Sequence, residues 1–208
     1  MIHTQTKLEQ IMHDRKSVRK YKENVVIPRE KLNHLLEQAM SAPSSSNMQP
    51  WRFLVIDDPQ VKKEVRAIAN NQEQVETSSA IIAVLGDMKM YENAEQIYNE
   101  NVEKGYMSRE IGDHMIKNSY GLYSGLPEHI LQNIVHFDAG LISMQIMLLA
   151  KDMGYDTVPM GGFDKAKFAE KFNLPKHEIP ILLIAIGEAA APAYGSSRLP
   201  FDQIVRYV

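Results

Sequence analysis

The sequence predicts an α+β fold, and three observations carry that expectation. Four segments read as strands against six or seven that read as helices. The two kinds do not alternate strictly, which argues against a doubly wound parallel sheet. One helical segment, residues 128–153, is far longer and more apolar than the rest, so it is central or lies in a subunit interface.

The elements follow in chain order. Lys7–His13 reads as a short helix leading into the basic cluster Arg15–Lys22. Pro28 suits a first helical turn, and Leu32, Leu35, Leu36, Ala39 and Met40 recur at helical spacing. Ala42-Pro43 stops that helix, because a residue before proline avoids helical angles. After a loop at 43–50, Trp51–Ile56 reads as a strand closed by Asp57-Asp58-Pro59, and Val61–Ala69 as a helix. Ala80–Leu85 is a continuous apolar run, the pattern of a strand covered on both faces. Met88–Asn118 is charged, contains tyrosines and has weak helical periodicity; a lid over a site and a solvated helical excursion suit it equally. Pro127 precedes the strongest helix, Glu128–Met153, in which Leu141, Ile142, Met144, Ile146, Met147, Leu148 and Leu149 wrap most of the circumference. Gly154 ends it. Asp156–Met160 is a short strand leading into Gly161-Gly162, followed by a helix at Lys165–Phe172 and a strand at Ile179–Gly187. The tail, Ala189–Val208, ends with Ile204, Val205, Tyr207 and Val208, the composition of a segment that docks on something, a partner subunit among the choices.

Composition excludes several classes of function. At 208 residues the chain fits one domain, residues 1–208, and should bury roughly 70% of its extended surface. With 44% hydrophobic and 24% charged residues it is ordinary globular material, neither disordered nor fibrous. A net charge of −3 disfavours whole-surface attraction to nucleic acid or anionic lipid. No cysteine is present, which removes disulfides, thiolate zinc sites, iron–sulfur clusters and cysteine nucleophiles together. The N-terminus is polar, with no signal-peptide core, and the apolar run Ile146–Ala150 falls far short of the ~20 residues of a membrane span. The expectation is a cytoplasmic protein with neither membrane nor nucleic acid as partner.

Four segments could carry chemistry. In Arg15-Lys16-Ser17-Val18-Arg19, extended backbone would put Arg15, Ser17 and Arg19 on one side, two guanidinium forks flanking a hydroxyl. That arrangement suits a phosphate; a solvated basic turn and a nucleic-acid patch suit the same residues. Ala42-Pro43-Ser44-Ser45-Ser46-Asn47-Met48-Gln49-Pro50-Trp51 is a stiff loop dense in hydrogen-bonding groups, fit to hold a planar polar ligand. In Pro159-Met160-Gly161-Gly162-Phe163, paired glycines after a strand let a ligand approach the backbone closely. Ser196-Ser197-Arg198-Leu199-Pro200 places one arginine in the tail. Neither Gly-x-Gly-x-x-Gly nor a Walker loop occurs, so no separate Rossmann site or NTPase is indicated. A Gly-x-Ser-x-Gly elbow is also missing, and the seven histidines are scattered without zinc-site spacing.

Taken together, Arg15-x-Ser17-x-Arg19, Pro43-Ser44-x-x-Asn47-x-Gln49-Pro50-Trp51, Pro159-x-Gly161-Gly162-Phe163-Asp164 and Arg198-Leu199-Pro200 resemble the FMN-dependent nitroreductase family over nearly the whole chain. The resemblance implies a central, mostly antiparallel sheet flanked by helices, in a homodimer with the long helix at its interface and a C-terminal arm exchanged with the partner. It implies FMN at that interface and NAD(P)H as reductant. Arg15, Lys16, Ser17 and Arg19 match the flavin-binding run shared between the phosphate and the pyrimidine edge, and Arg198 the tail arginine that reaches the same phosphate. Pro43, Ser44, Ser45, Asn47 and Gln49 match the loop that reaches the FMN held mainly by the other subunit. Pro159, Gly161 and Gly162 match the turn along the isoalloxazine ring. Asn71 or Gln72 matches an amide near the pyrimidine edge. Ser196 stands where some relatives carry a lysine.

The implied chemistry is hydride transfer from nicotinamide to flavin N5 and on to a small-molecule electron acceptor such as a nitroaromatic or quinone. No side-chain acid or base is required, so no catalytic residue is assigned. One open flavin face serving donor and acceptor in turn implies ping-pong kinetics. The same fold could also host dehalogenation, enal or carbonyl reduction, or flavin breakdown, or serve as a non-catalytic flavin- or anion-binding module.

Overall fold

The computed structural model describes residues 5–208. Its elements are α1 (Lys7–Asp14), α2 (Arg29–Ala39), β1 (Trp51–Ile56), α3 (Pro59–Ile68), α4 (Glu73–Thr77), β2 (Ala80–Asp87), α5 (Ala94–Glu103), α6 (Arg109–Ser124), α7 (Glu128–Asp152), β3 (Asp156–Met160), α8 (Lys165–Lys171), β4 (Glu178–Gly187) and α9 (Phe201–Ile204). Single 3-10 turns occur at Ser45–Asn47 and Met90–Asn93. The four strands form one antiparallel sheet in the order β1-β2-β4-β3.

The two central strands explain the layering. Successive side chains of a strand face opposite sides. Ile82 and Val84 of β2, with Ile184 and Ile186 of β4, pack on one face against Leu32 and Leu35 of α2 and Ile142 and Ile146 of α7. Ile81, Ala83 and Leu85, with Leu183 and Ala185, pack on the other face against Val65 of α3 and Phe168 of α8. Both faces are covered, which is why β2 reads as an unbroken apolar run. A third cluster joins Met48, Met90, Tyr98, Tyr123, Leu131 and Val135, so the α5–α6 hairpin is seated on the loop before β1 and on the first turns of α7.

Helix starts follow local chemistry. Thr6 and Glu9 form a capping box on α1. The Asp58 carboxylate accepts from the N–H groups of Gln60 and Val61 at 2.8 and 2.9 Å, so α3 begins at Pro59, two residues before the apolar period suggests. α7 ends one residue earlier than expected, and Gly154 takes the left-handed φ of +86°.

The structure departs from expectation in three places. Met88–Asn118 is not one weak excursion but a 3-10 turn, α5 and the start of α6, broken at Gly105 with φ +74°. α4, five residues without a period, adds to nine helices among the described residues rather than six or seven. Finally, α7 is by length and composition apolar enough to cross a membrane, although no unbroken apolar run suggests it. Its packing is that of a core helix: Leu131, Val135, Ile142 and Ile146 are buried in the clusters already described.

Candidate functional site

The basic segment is extended and attached to the sheet at both ends. Arg15 caps α1 through its N–H to the Ile11 carbonyl at 2.9 Å, and Val18 N–H donates to the Thr157 carbonyl at 3.1 Å. Ser17 bridges Thr157 in parallel sense, while Tyr21 pairs with Ala189 just past β4. Val18 and Tyr21 are buried, and the Tyr21 hydroxyl donates to the Ala185 carbonyl at 3.2 Å. Burial pushes the Tyr21 phenol far above its ordinary range, so it stays neutral. The two buried residues are three apart, so burial does not alternate along the segment: Arg15 and Ser17 are half-buried, and Arg19 is exposed. The Arg15 Nε is itself buried and has no hydrogen-bond partner, as does the Thr157 Oγ1 beside Ser17. Lys20 reaches Glu73 at 3.4 Å, tying the segment to α4.

The turn after β3 lies on the same edge of the sheet. A Cβ at Gly161 would meet nothing within 4 Å, and neither Gly161 nor Gly162 has positive φ. Nothing inside the chain therefore requires glycine at 161; the room lies on the outer side. Two side-chain amides hold the turn: Asn70 Nδ2 and Gln72 Nε2 both donate to the Gly162 carbonyl, at 2.9 and 3.1 Å. Phe163 N–H donates to the Gly161 carbonyl at 3.3 Å. Gln74, buried, donates to Gln72 Oε1 at 3.0 Å and to Met160 Sδ at 3.3 Å.

The loop before β1 is built differently. Ser46, Asn47 and Gln49 all adopt left-handed φ, +48°, +57° and +49°, which non-glycine residues hold only when their surroundings enforce it. Those surroundings are visible. Ser45 donates its N–H and hydroxyl to Asp138 of α7, at 3.0 and 3.1 Å. Ser46 Oγ contacts the Tyr123 hydroxyl at 2.8 Å, and the Tyr98 hydroxyl donates to the Ser46 carbonyl at 2.8 Å. Asn93 Nδ2 donates to the Met48 carbonyl at 2.9 Å, and the Ser44 hydroxyl accepts from Gln49 N–H at 3.0 Å. Pro43, Asn47 and Ser46 remain exposed.

The structure thus places two groups along the β3 edge: Arg15 and Ser17 lie at the bridge to Thr157, and Gln72, Gly161 and Gly162 meet at the turn past the end of the strand. Pro43–Gln49 is not with them. It leads into β1 at the opposite edge, three strand spacings of ~4.8 Å away. Arg198 is not with them either: its guanidinium wraps back on Ser196 and Ser197 in an exposed tail. Of the two amides in question, Gln72 faces the turn, whereas Asn71 bonds Arg66 through its backbone, its N–H donating to the Arg66 carbonyl and its carbonyl accepting from the Arg66 side chain. Asn70, Gln74 and Asp138 were not evident from sequence. Only Asp138 gives a signal there, as an acid near the middle of a long helix, just before its apolar stretch. Among the described residues no cluster of three metal-ligating side chains occurs.

A basic segment with an orphaned guanidinium nitrogen and an open glycine turn share one sheet edge, a setting that suits a planar, phosphate-bearing ligand on an α+β scaffold. The profile of the nitroreductase family matches residues 12–188, and the chain belongs to that family, which makes it an oxidoreductase. It is 46% identical, over the full length of both chains, to YdgI of Bacillus subtilis, whose name describes an NAD(P)H nitroreductase. A solved structure from Exiguobacterium sibiricum, described as a nitroreductase in complex with FMN, is 44% identical and superposes with a TM-score of 0.93, all of each chain being covered. The CLA biosynthesis enone reductase of Lactiplantibacillus plantarum is 31% identical, over 92% of this chain and 89% of its own.

Proposed function

We propose that the chain is an FMN-dependent NAD(P)H oxidoreductase that reduces nitroaromatics, quinones or similar electron-poor acceptors. The carrying observation is the buried, unpartnered Nε of Arg15 on the same sheet edge whose strand ends in the open turn at Gly161-Gly162. Leaving a buried charged donor unsatisfied is costly, so the site is built for an anion that arrives with the ligand. The residues fit FMN on that ground. Its phosphate suits Arg15 and Arg198, and its ring suits a backbone turn with no side chain in the way.

FMN held there would supply hydride transfer between NAD(P)H and the acceptor, and a single open face serving both in turn would make the kinetics ping-pong. Each group of the chain has a role in supporting that. Arg15, Lys16 and Ser17 bind the phosphate side, and Arg19 supplies positive charge at the pyrimidine edge, where negative charge develops on reduction. Asn70 and Gln72 orient the Gly162 carbonyl, which sets the peptide planes of the turn along the ring together with Pro159 and Gly161. Pro43, Ser44, Ser45, Asn47 and Gln49 act on the cofactor of a second subunit, because their own chain places them at the far edge of the sheet. A homodimer with Phe137 of α7 and the tail residues Leu199, Phe201 and Tyr207 at its interface accounts for that apolar surface, all of it exposed in one chain.

The test is anaerobic reduction of the FMN-loaded protein by NADPH or NADH, then stopped-flow reoxidation by a panel of acceptors. Fast reoxidation by nitroaromatics and quinones supports the reading. The enone reductase relative supports a second one, reduction of an activated carbon–carbon double bond; selective reoxidation by an enone would establish it.

A further inference from the structure

Asp138 is fully buried in the middle of α7, and the hydrogen bonds to its carboxylate come from a single residue. Ser45 N–H donates to Oδ2 at 3.0 Å and Ser45 Oγ to Oδ1 at 3.1 Å. Burying a carboxylate is expensive, and an apolar side chain of similar volume would commonly serve stability as well or better. Two bonds to one turn residue are modest return for that desolvation, so stability alone does not explain an acid here. What the acid does supply is direction. The turn it grips holds three non-glycine residues at left-handed φ, a conformation that local sequence does not favour and that tertiary contacts must impose. The other tethers, from Tyr98, Tyr123 and Asn93, tie the turn to the α5–α6 hairpin and the segment leading into it. Asp138 is its hydrogen-bonded tie to α7.

We propose that Asp138 is a positioning residue: by pinning Ser45 to α7 it holds the Ser44–Gln49 turn in the shape that meets FMN, so that cofactor affinity depends on the Asp138–Ser45 pair. This takes as given that the turn contacts FMN, as proposed above. Asparagine at 138 keeps an acceptor for the Ser45 N–H and a side chain of nearly the same shape; leucine keeps only volume.

The experiment measures FMN dissociation constants by flavin fluorescence for wild type, Asp138→Asn, Asp138→Leu, Ser45→Ala and the Asp138→Leu/Ser45→Ala pair. Thermal midpoints of the same flavin-free proteins are taken alongside. Asp138→Leu is expected to weaken FMN about tenfold or more, the scale of a misplaced contact. Its melting point should stay near or above wild type, and Asp138→Asn should restore most of the affinity. The double variant should lose no more than the larger single loss, since both changes cut one link. Wild-type affinity in Asp138→Leu, or fully additive losses, would overturn the proposal. Should Asp138→Leu not fold, the same decision rests on Ser45→Ala combined with Asp138→Asn. A wild-type protein that binds no FMN defeats the cofactor reading instead. Amide hydrogen exchange at Ser45–Gln49 then decides on the pin by itself: faster exchange in Asp138→Leu sustains it, and unchanged exchange overturns it.

Discussion

A single guanidinium shows how local pattern and tertiary setting combine. Arg15 stands in an alternating run that any reader of the chain would mark as a phosphate cradle or as a solvated turn. The fold buries its Nε without a partner, which supports the first reading. Arg15→Ala should weaken FMN binding by about 1.5–3 kcal/mol, the worth of a charge-assisted hydrogen bond, readable by flavin titration. Gly161-Gly162 was legible for the same reason, because a glycine pair after a strand is a local signal. Asn70, Gln74 and Asp138 were not, because their meaning lies in partners 86 to 93 positions away. Asp138 also carries a pH dependence with a definite sign. Burial raises its carboxyl above the usual aspartate range, so the folded state holds its proton more tightly than the unfolded state does. The stability this contributes is complete below the ordinary value of about 3.9 and is lost as pH rises through the raised one. Chemical denaturation across that window should show the decline in wild type and its absence in Asp138→Asn; equal slopes would contradict it.

At the scale of elements, legibility followed apolar patterning. β1 and β3 were readable to the residue because turn residues bound them, Pro50 and Asp57 for β1 and Gly154 and Gly161 for β3; β2 and β4 were readable to within two, as apolar runs at the centre of a doubly covered sheet. α4 was missed because five residues give no period, and the α5–α6 break was missed because it turns on Gly105 alone in a charged stretch. The close seating of α7 on β2 makes one strong expectation. A Cβ at Gly86 would lie 2.2 Å from Val135 Cγ1 and 2.7 Å from Ile181 Cδ1. Gly86→Ala must displace both side chains inside the core, and the expected loss is about 1–3 kcal/mol in urea denaturation with an unchanged m-value. A neutral result would mean that the α7–sheet contact is looser than its packing indicates.

The whole molecule leaves apolar surface that one chain does not cover. Leu199, Phe201, Ile204 and Tyr207 are exposed in a tail that holds Arg198 away from Arg15, and the loop at 43–49 sits across the sheet from the turn it should complement. Both facts fit a site completed between two copies. Truncation after Ala193 should therefore lower both the dimer fraction in sedimentation equilibrium and the affinity for FMN; a truncated protein that stays dimeric and flavin-bound would place the arm outside the site. An FMN oxidoreductase reveals itself in the visible absorbance spectrum of the FMN-reconstituted protein before and after anaerobic addition of NADPH or NADH. Protein-bound flavin bands that bleach on addition are the expected result. A protein that retains no flavin, or bound flavin that neither nucleotide reduces, would contradict it.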